Sequence, residues 1–148
     1  MILSFEEFIL ESYEIEDRII TYEEVIAIHD EMIAKYGGMK GIRDEQQLRS
    51  CLDKPYMSVF GEDLYPTIYK KCAAILECMI NTHPFSDGNK RTAFYVVRTI
   101  LNKHGIPFTK DYDKSRQFIV HIFTKKINID GIVRWIKRNC KKPKPVSV

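Results

Sequence analysis

The residues best suited to chemistry lie together in one nine-residue stretch, His83-Pro84-Phe85-Ser86-Asp87-Gly88-Asn89-Lys90-Arg91. A histidine ordinarily titrates near neutral pH and can take a proton from a hydroxyl group. A nearby carboxylate suits Mg²⁺, which is usually held by one or two carboxylates together with phosphate oxygens and water. An arginine can grip two phosphate oxygens at once, and a lysine acts as a point charge. The stretch therefore predicts a phosphate-handling catalytic loop.

Two segments with helical spacing of apolar residues flank this loop and should position it. The first covers residues 65–81, and it should end near His83 because Pro84 disfavours further helix. The second stripe starts at Ala93 and is closed by Gly105. The loop therefore leads into a helix N-terminus, where free amides and the helix dipole favour a bound phosphate.

Individual residues of the loop fit this interpretation. Gly88 would let the main chain approach a ligand closely. Lys90 and Arg91 fall in the first turn of the second helix, against the usual preference for acidic residues there. A bound anion would explain that placement. Phe85 is expected to anchor the loop in the core.

The loop resembles the motif of the Fic/Doc family, His-x-Phe-x-(Asp/Glu)-(Gly/Ala)-Asn-(Gly/Lys)-Arg, and meets every specified position. The chain around it is similar to the death-on-curing (Doc) branch over about residues 20–138. The shared features, in the order and spacing of that branch, are Ile28-His29-Asp30, Tyr36-Gly37-Gly38, Gly41-Ile42-Arg43-Asp44 and Asn102-Lys103-His104-Gly105.

The resemblance implies a role for each position of the loop. His83 matches the general base that activates a target hydroxyl, and Asp87 matches the metal ligand. Gly88 and Asn89 match the turn that holds the anion. Arg91 matches the arginine that holds the outer phosphates of the nucleotide. ATP and Mg²⁺ are the implied cofactors, and Lys90 and Arg91 are expected to serve both catalysis and nucleotide binding.

Lys90 favours one subclass of the family. Fic nucleotidyl transferases usually have glycine there and present the α-phosphate for attack, whereas Doc-type proteins have lysine and bind the nucleotide reversed, with the γ-phosphate facing the target. Phe94 agrees, since Fic enzymes commonly carry a second arginine at that position. Gly88 fits both subclasses and does not discriminate between them.

The implied protein is the toxin of a toxin–antitoxin pair, which transfers the γ-phosphoryl group of ATP to a Ser or Thr hydroxyl of a protein. A translation elongation factor, such as elongation factor Tu, is the expected target, and a separate antitoxin chain would cover the site. Two alternatives stay open: a Fic-type nucleotidyl transferase, and a non-catalytic regulatory or nucleic-acid-binding protein. A scaffold has no need of a base, a metal ligand and an anion clamp in one loop, which weighs against the last.

The length indicates a single domain, and the helical spacing of its apolar residues predicts an all-α fold of about six helices, with the catalytic loop between the fourth and fifth. We divide the 148 residues into an acidic N-terminal segment (1–19), a Fic/Doc domain (20–139) and a basic tail (140–148) that we expect to be disordered. No strand is strongly predicted. Because the sequence has no long apolar run and no signal peptide pattern, we expect a cytoplasmic protein without a membrane partner.

Several features outside the loop have competing interpretations. Residues 12–17 come close to an inhibitory pattern of some Fic proteins, although a solvated capping segment is favoured. Residues 56–64 form either a flap over the active site or an ordinary surface loop. His29 is expected to be packed and hydrogen-bonded rather than catalytic, and the basic tail to be solvated rather than bound to nucleic acid. The four cysteines contain no Cys-x-x-Cys pair, so we expect reduced thiols rather than disulfides or a zinc site.

Overall fold

The computed structural model describes residues 18–141. Six α-helices occur in this range: α1 (Tyr22–Tyr36), α2 (Glu45–Asp53), α3 (Ile68–Thr82), α4 (Asn89–Lys103), α5 (Tyr112–Thr124) and α6 (Ile129–Arg138). A 3₁₀ turn (Lys54–Tyr56) and a short antiparallel hairpin, β1 (Ser58–Val59) and β2 (Glu62–Asp63), connect α2 to α3. The predicted all-α class is therefore confirmed.

The predicted catalytic loop, residues 83–91, lies between α3 and α4, the third and fourth helices of the described range. The expected place between a fourth and a fifth helix would require a helix before residue 18. The acidic segment and its inhibitory pattern at residues 12–17 lie outside the described residues, as does the tail from residue 142 onward.

Polar residues before apolar stripes predict helix caps: Thr21 with Glu24 fits a capping box, Asp44 fits a cap, and Asn128 or Asp130 could cap the last helix. Thr21 forms that capping box at the start of α1, and Asp44 and Asn128 accept main-chain amide hydrogens at the starts of α2 and α6. The apolar spacing of Phe118, Ile119, Ile122 and Phe123 predicts a helix over residues 115–127, but the helix begins at Tyr112, where Asp111 caps it, and ends at Thr124. The caps of α1, α2 and α6 are local properties of the sequence, which is why they could be predicted.

Helix α3 is the centre of the core and fixes the position of the catalytic loop that follows it. It packs against α2, α4, α5 and α6. Seven of its fifteen residues are buried, namely Cys72, Ala73, Ala74, Ile75, Leu76, Met79 and Ile80. None of the helices within residues 18–141 has the length and apolar character that crossing a membrane requires.

The hairpin is a structure that the sequence did not predict. Its two central turn residues, Phe60 and Gly61, both have positive φ, 51° and 78°, as in the primed turns of tight hairpins. Asparagine or aspartate usually occupies the first of these positions, so a turn with phenylalanine there cannot be recognised from the sequence. The hairpin lies inside the predicted flap (56–64), and Phe60 at its tip is fully exposed. Its role as a flap stays a prediction.

The expectation of four reduced cysteines is wrong for one pair. Cys51 of α2 and Cys78 of α3 form a disulfide, with their Cα atoms 5.4 Å apart. The two residues are 27 positions apart in the chain, and only the packing of the two helices brings them together. Cys72 and Cys140 are free thiols. Within the described residues, no cluster of three or more His, Cys, Asp or Glu side chains could hold a metal ion.

Candidate functional site

The proposed base, His83, lies directly after α3 and ends that helix. It adopts the left-handed conformation, with φ of 50°, as residues just beyond a helix end often do. The Arg43 side chain donates one hydrogen bond to the carbonyl of His83, at 2.8 Å, and another to the carbonyl of Thr82. Arg43 thus caps the exposed carbonyls of α3 and holds the main chain of His83 in place. No role for Arg43 could be inferred from the sequence.

The segment before α2 runs alongside the first half of the catalytic loop. The amide of Ser86 donates to the carbonyl of Gly41, and the amides of Arg43 and Asp44 donate to the carbonyl of Pro84, at distances of 2.8 to 3.1 Å. These main-chain bonds restrain the loop from one side.

Asn89 closes the loop on itself. Its buried carboxamide accepts a hydrogen bond from the Phe85 amide at 2.8 Å and donates one to the Phe85 carbonyl at 2.9 Å. Phe85 is 1% exposed, so it anchors the loop in the core as predicted. The carboxamide of Asn89 therefore supports the loop, and any contact of this residue with an anion falls to its main-chain amide at the start of α4.

His29 is packed and hydrogen-bonded, which confirms the structural interpretation. Its ring is 2% exposed and stacks on Phe85, with centroids 3.8 Å apart and planes 6° apart. Its Nε2 lies 2.9 Å from the carbonyl oxygen of Asp87, which can only accept, so Nε2 carries the hydrogen. The sequence did not indicate that this histidine contacts the catalytic loop.

The carboxylate of Asp87 is exposed and held by main-chain amides. Oδ2 accepts from Met39 at 3.0 Å, and Oδ1 accepts from Gly88 at 2.8 Å. These two bonds, from Met39 first and then Gly88, hold the pKa of the Asp87 carboxyl below its usual value. Gly38 permits the close approach, because a Cβ there would lie 2.7 Å from Oδ2 and the residue has φ of +119°.

Asp87 also has the chemistry of a Mg²⁺ ligand. Each of its oxygens accepts one amide hydrogen bond and keeps lone-pair sites that remain accessible. Since the described residues contain no cluster of further metal-binding side chains, a metal ion here would take its other ligands from phosphates and water. That is the usual situation of Mg²⁺ beside a nucleotide.

An open pocket of about 410 Å³ collects the side chains that the sequence singled out. Its volume is in the range of sites for small ligands. The lining includes all six predicted site residues, His83, Asp87, Gly88, Asn89, Lys90 and Arg91. It also includes residues that the sequence did not single out as site residues, namely Tyr36, Gly37, Ser86, Tyr112 and Arg116.

The start of α4 borders the pocket and has the features that favour anion binding. Gly88 occupies the position before the first turn with φ of 75°, and no side chain caps the helix there. The first amides of α4 therefore have no side-chain acceptor, which favours a bound phosphate. A Cβ on Gly88 would lie 3.2 Å from Ile33, so glycine also allows α1 to pack closely against the loop.

Two tyrosines hold the guanidinium of Arg91. Its Cζ atom lies 3.7 Å from the ring centroid of Tyr36 and 4.5 Å from that of Tyr112. Such contacts are attractive and fix the plane of the guanidinium while leaving its edge free to donate hydrogen bonds. Tyr36 precedes the Gly37-Gly38 pair of the motif, whereas nothing in the sequence pointed to Tyr112.

Phe94, where Fic enzymes commonly have a second arginine, belongs to the core. It is 2% exposed and contacts the rings of Phe108 and Tyr112 with centroids 5.5 and 5.8 Å apart. A second arginine does line the pocket, but it is Arg116 on α5.

Comparison with known proteins agrees with the loop motif and the geometry of the pocket. The model of the Fic/DOC family matches residues 19–101, more than half of the chain. This protein therefore belongs to the Fic/DOC family.

Two characterised relatives are both of Doc type. Toxin Doc of Mycolicibacterium smegmatis is 32% identical over 99 residues, which cover 66% of this chain and 76% of that protein. Protein kinase doc of Escherichia phage P1 is 27% identical over 121 residues, which cover 82% of this chain and 94% of that protein.

Proposed function

We propose that this protein is a Doc-type toxin of a toxin–antitoxin pair, and that it transfers the γ-phosphoryl group of ATP to a Ser or Thr hydroxyl of a target protein. The observation that carries the proposal is the pocket that unites a histidine, a carboxylate, two motif cations and a free helix N-terminus. The names of the two relatives, one a toxin and one a protein kinase, support the same activity.

The proposed reaction assigns a task to each side chain. His83 takes the proton of the target hydroxyl, whose oxygen then forms a bond to the γ-phosphorus while the bond from that phosphorus to the bridging oxygen of ADP breaks. The free amides at the start of α4 and the charges of Lys90 and Arg91 stabilise the negative charge on the phosphoryl oxygens. Tyr36 and Tyr112 keep the Arg91 guanidinium in place for this task.

Asp87 would hold Mg²⁺ in the loaded site. When bound, the ion neutralises part of the phosphate charge. The lowered pKa of Asp87 keeps its carboxylate ionised throughout the physiological range, as a metal ligand requires.

The choice of the γ-phosphate rests on Lys90, the position where nucleotidyl transferases of the family usually have glycine. Lys90 is exposed at the first turn of α4 and lines the pocket beside Asp87. The protein target, with elongation factor Tu as the first candidate, belongs to this proposal, as do the antitoxin chain that covers the site and the cytoplasmic location.

The proposal is tested by intact-mass analysis of purified elongation factor Tu after incubation with this protein, ATP and Mg²⁺. His83→Ala removes the base, and His121→Ala is the matched control because His121 lies on α5 outside the pocket. We expect a gain of one phosphoryl group with the wild type and with His121→Ala, and no gain with His83→Ala. A gain of one AMP would instead identify a nucleotidyl transferase.

A further inference from the structure

Arg116 lies in the pocket but outside the nine-residue motif. It projects from the second turn of α5, whereas Lys90 and Arg91 come from the start of α4, so the cations approach from two different helices. The proposed reaction assigns no role to Arg116.

Among residues 18–141, no ion pair balances the charge of Arg116. In the part of the chain that the structure describes, no carboxylate lies within salt-bridge distance of Lys90, Arg91 or Arg116. The pocket therefore has three cations and one carboxylate, Asp87, among its lining residues. Like charges in one pocket repel each other, and an anion bound among them removes that penalty.

Tyr112 lies beside both Arg116 and the motif residue Arg91. Burial raises the pKa of the Tyr112 hydroxyl, and the neighbouring guanidinium groups of Arg91 and Arg116 offset part of that rise. Tyr112 and Arg116 line the same pocket, and the ring of this tyrosine also covers Arg91. One aromatic side chain thus lies beside both arginines. A guanidinium has five donors, so Arg116 can donate to a ligand.

We propose that Arg116 is a second phosphate-binding arginine, which contacts a phosphate group of the nucleotide other than the one held by Arg91 at the start of α4. The inference rests on the proposed function, because it takes the ligand to be a nucleotide polyphosphate. The charges agree: a nucleoside triphosphate with one bound Mg²⁺ carries a net charge of about −2, and the lining residues carry two excess positive charges only when Arg116 is included. Arg116 should therefore make the site selective for polyphosphates over monophosphates.

The test is to measure the affinities of ATP, ADP and AMP, each with Mg²⁺, for the full chain by titration calorimetry. Arg116→Gln removes the charge, and Arg116→Lys keeps the charge without the paired donors. Lys114→Gln is the matched control, since Lys114 is exposed on the same helix, does not line the pocket and changes the net charge equally.

We expect Arg116→Gln to weaken ATP binding by about tenfold or more and AMP binding by less than about twofold. Arg116→Lys should fall between wild type and Arg116→Gln, and Lys114→Gln should bind like wild type. ATP binding by Arg116→Gln that equals the wild type would overturn the inference while the proposed function stands. Equal losses for ATP and AMP would also overturn it, because Arg116 would then act on the shape of the pocket. A wild type that binds no nucleotide would reject the proposed function and the inference together.

Discussion

Replacing Asn89 with alanine should destabilise the protein by roughly 2–6 kcal/mol. The carboxamide makes two hydrogen bonds to the main chain of Phe85, at 2.8 and 2.9 Å, in a buried setting. Alanine would remove both bonds and leave the Phe85 amide and carbonyl without partners, and each such buried group costs about 1–3 kcal/mol. For a chain of this length, each kcal/mol corresponds to about 2–4 °C in melting temperature. We therefore expect the melting temperature to fall by roughly 4–24 °C.

The assay is urea unfolding followed by circular dichroism, with the slope of the transition checked for constancy. Asn81→Ala is the matched control: Asn81 is exposed on α3, and its side chain donates a single hydrogen bond to the Glu77 carbonyl. The free energy of unfolding of the Asn81→Ala protein should stay within about 0.5 kcal/mol of the wild-type value.

The same experiment separates two roles for the Asn89 side chain. If it closes the loop, Asn89→Ala loses stability in the absence of nucleotide. An Asn89→Ala protein with wild-type stability and weakened ATP binding would refute the loop-closing role, and the carboxamide would then contact the nucleotide as the family motif suggested.

Three further predictions concern the loop and its supports. In urea unfolding, Gly38→Ala should lower the free energy of unfolding by about 1–3 kcal/mol more than Gly37→Ala does. Both positions have positive φ, but only at Gly38 would a Cβ meet the Asp87 carboxylate. Equal losses of stability in the two variants would contradict this. Reducing the Cys51–Cys78 disulfide should lower the free energy of unfolding by about 3 kcal/mol, given its separation of 27 residues, and a reductant should leave the Cys51→Ser/Cys78→Ser double variant unchanged. A wild-type protein whose free energy of unfolding does not change with the reductant would contradict the disulfide. The lowered pKa of Asp87 means that its carboxylate contributes stability fully above its ordinary pKa of about 3.9, and that this contribution is lost as the pH falls through the lower folded value. The excess stability of the wild type over Asp87→Asn should thus stay constant from about pH 5 to 8, and an excess that fades within that window would be inconsistent with it.

The catalytic loop and the helices around it could be predicted because their signals are local. Pro84 ends α3 at Thr82, as its effect on the preceding residue requires. Thr21, Asp44 and Asn128 cap their helices through bonds to residues three positions away. The six predicted site residues of the loop all line one pocket, and Phe85 anchors the loop in the core as its residue type predicts.

The supports of the loop could not be predicted, because they depend on contacts between distant parts of the chain. Arg43 reaches carbonyls about 40 positions away, and Met39 donates to a carboxylate 48 positions away. Tyr36 and Tyr112 enclose Arg91 only after α1, α4 and α5 have packed. In the sequence, nothing distinguishes Arg116 from Lys114, the other cation of the segment that forms α5, and only the fold places Arg116 in the pocket.

The central claim, transfer of the γ-phosphoryl group to a protein with His83 as base, can be tested without knowing the target. A bacterial lysate is incubated with this protein, Mg²⁺ and ATP labelled at either the γ- or the α-phosphate, and proteins are separated and scanned for label. We expect a protein that gains label from γ-labelled ATP alone and loses that gain when His83→Ala replaces the wild type. Label from α-labelled ATP, or γ-label that persists with His83→Ala, would contradict the account.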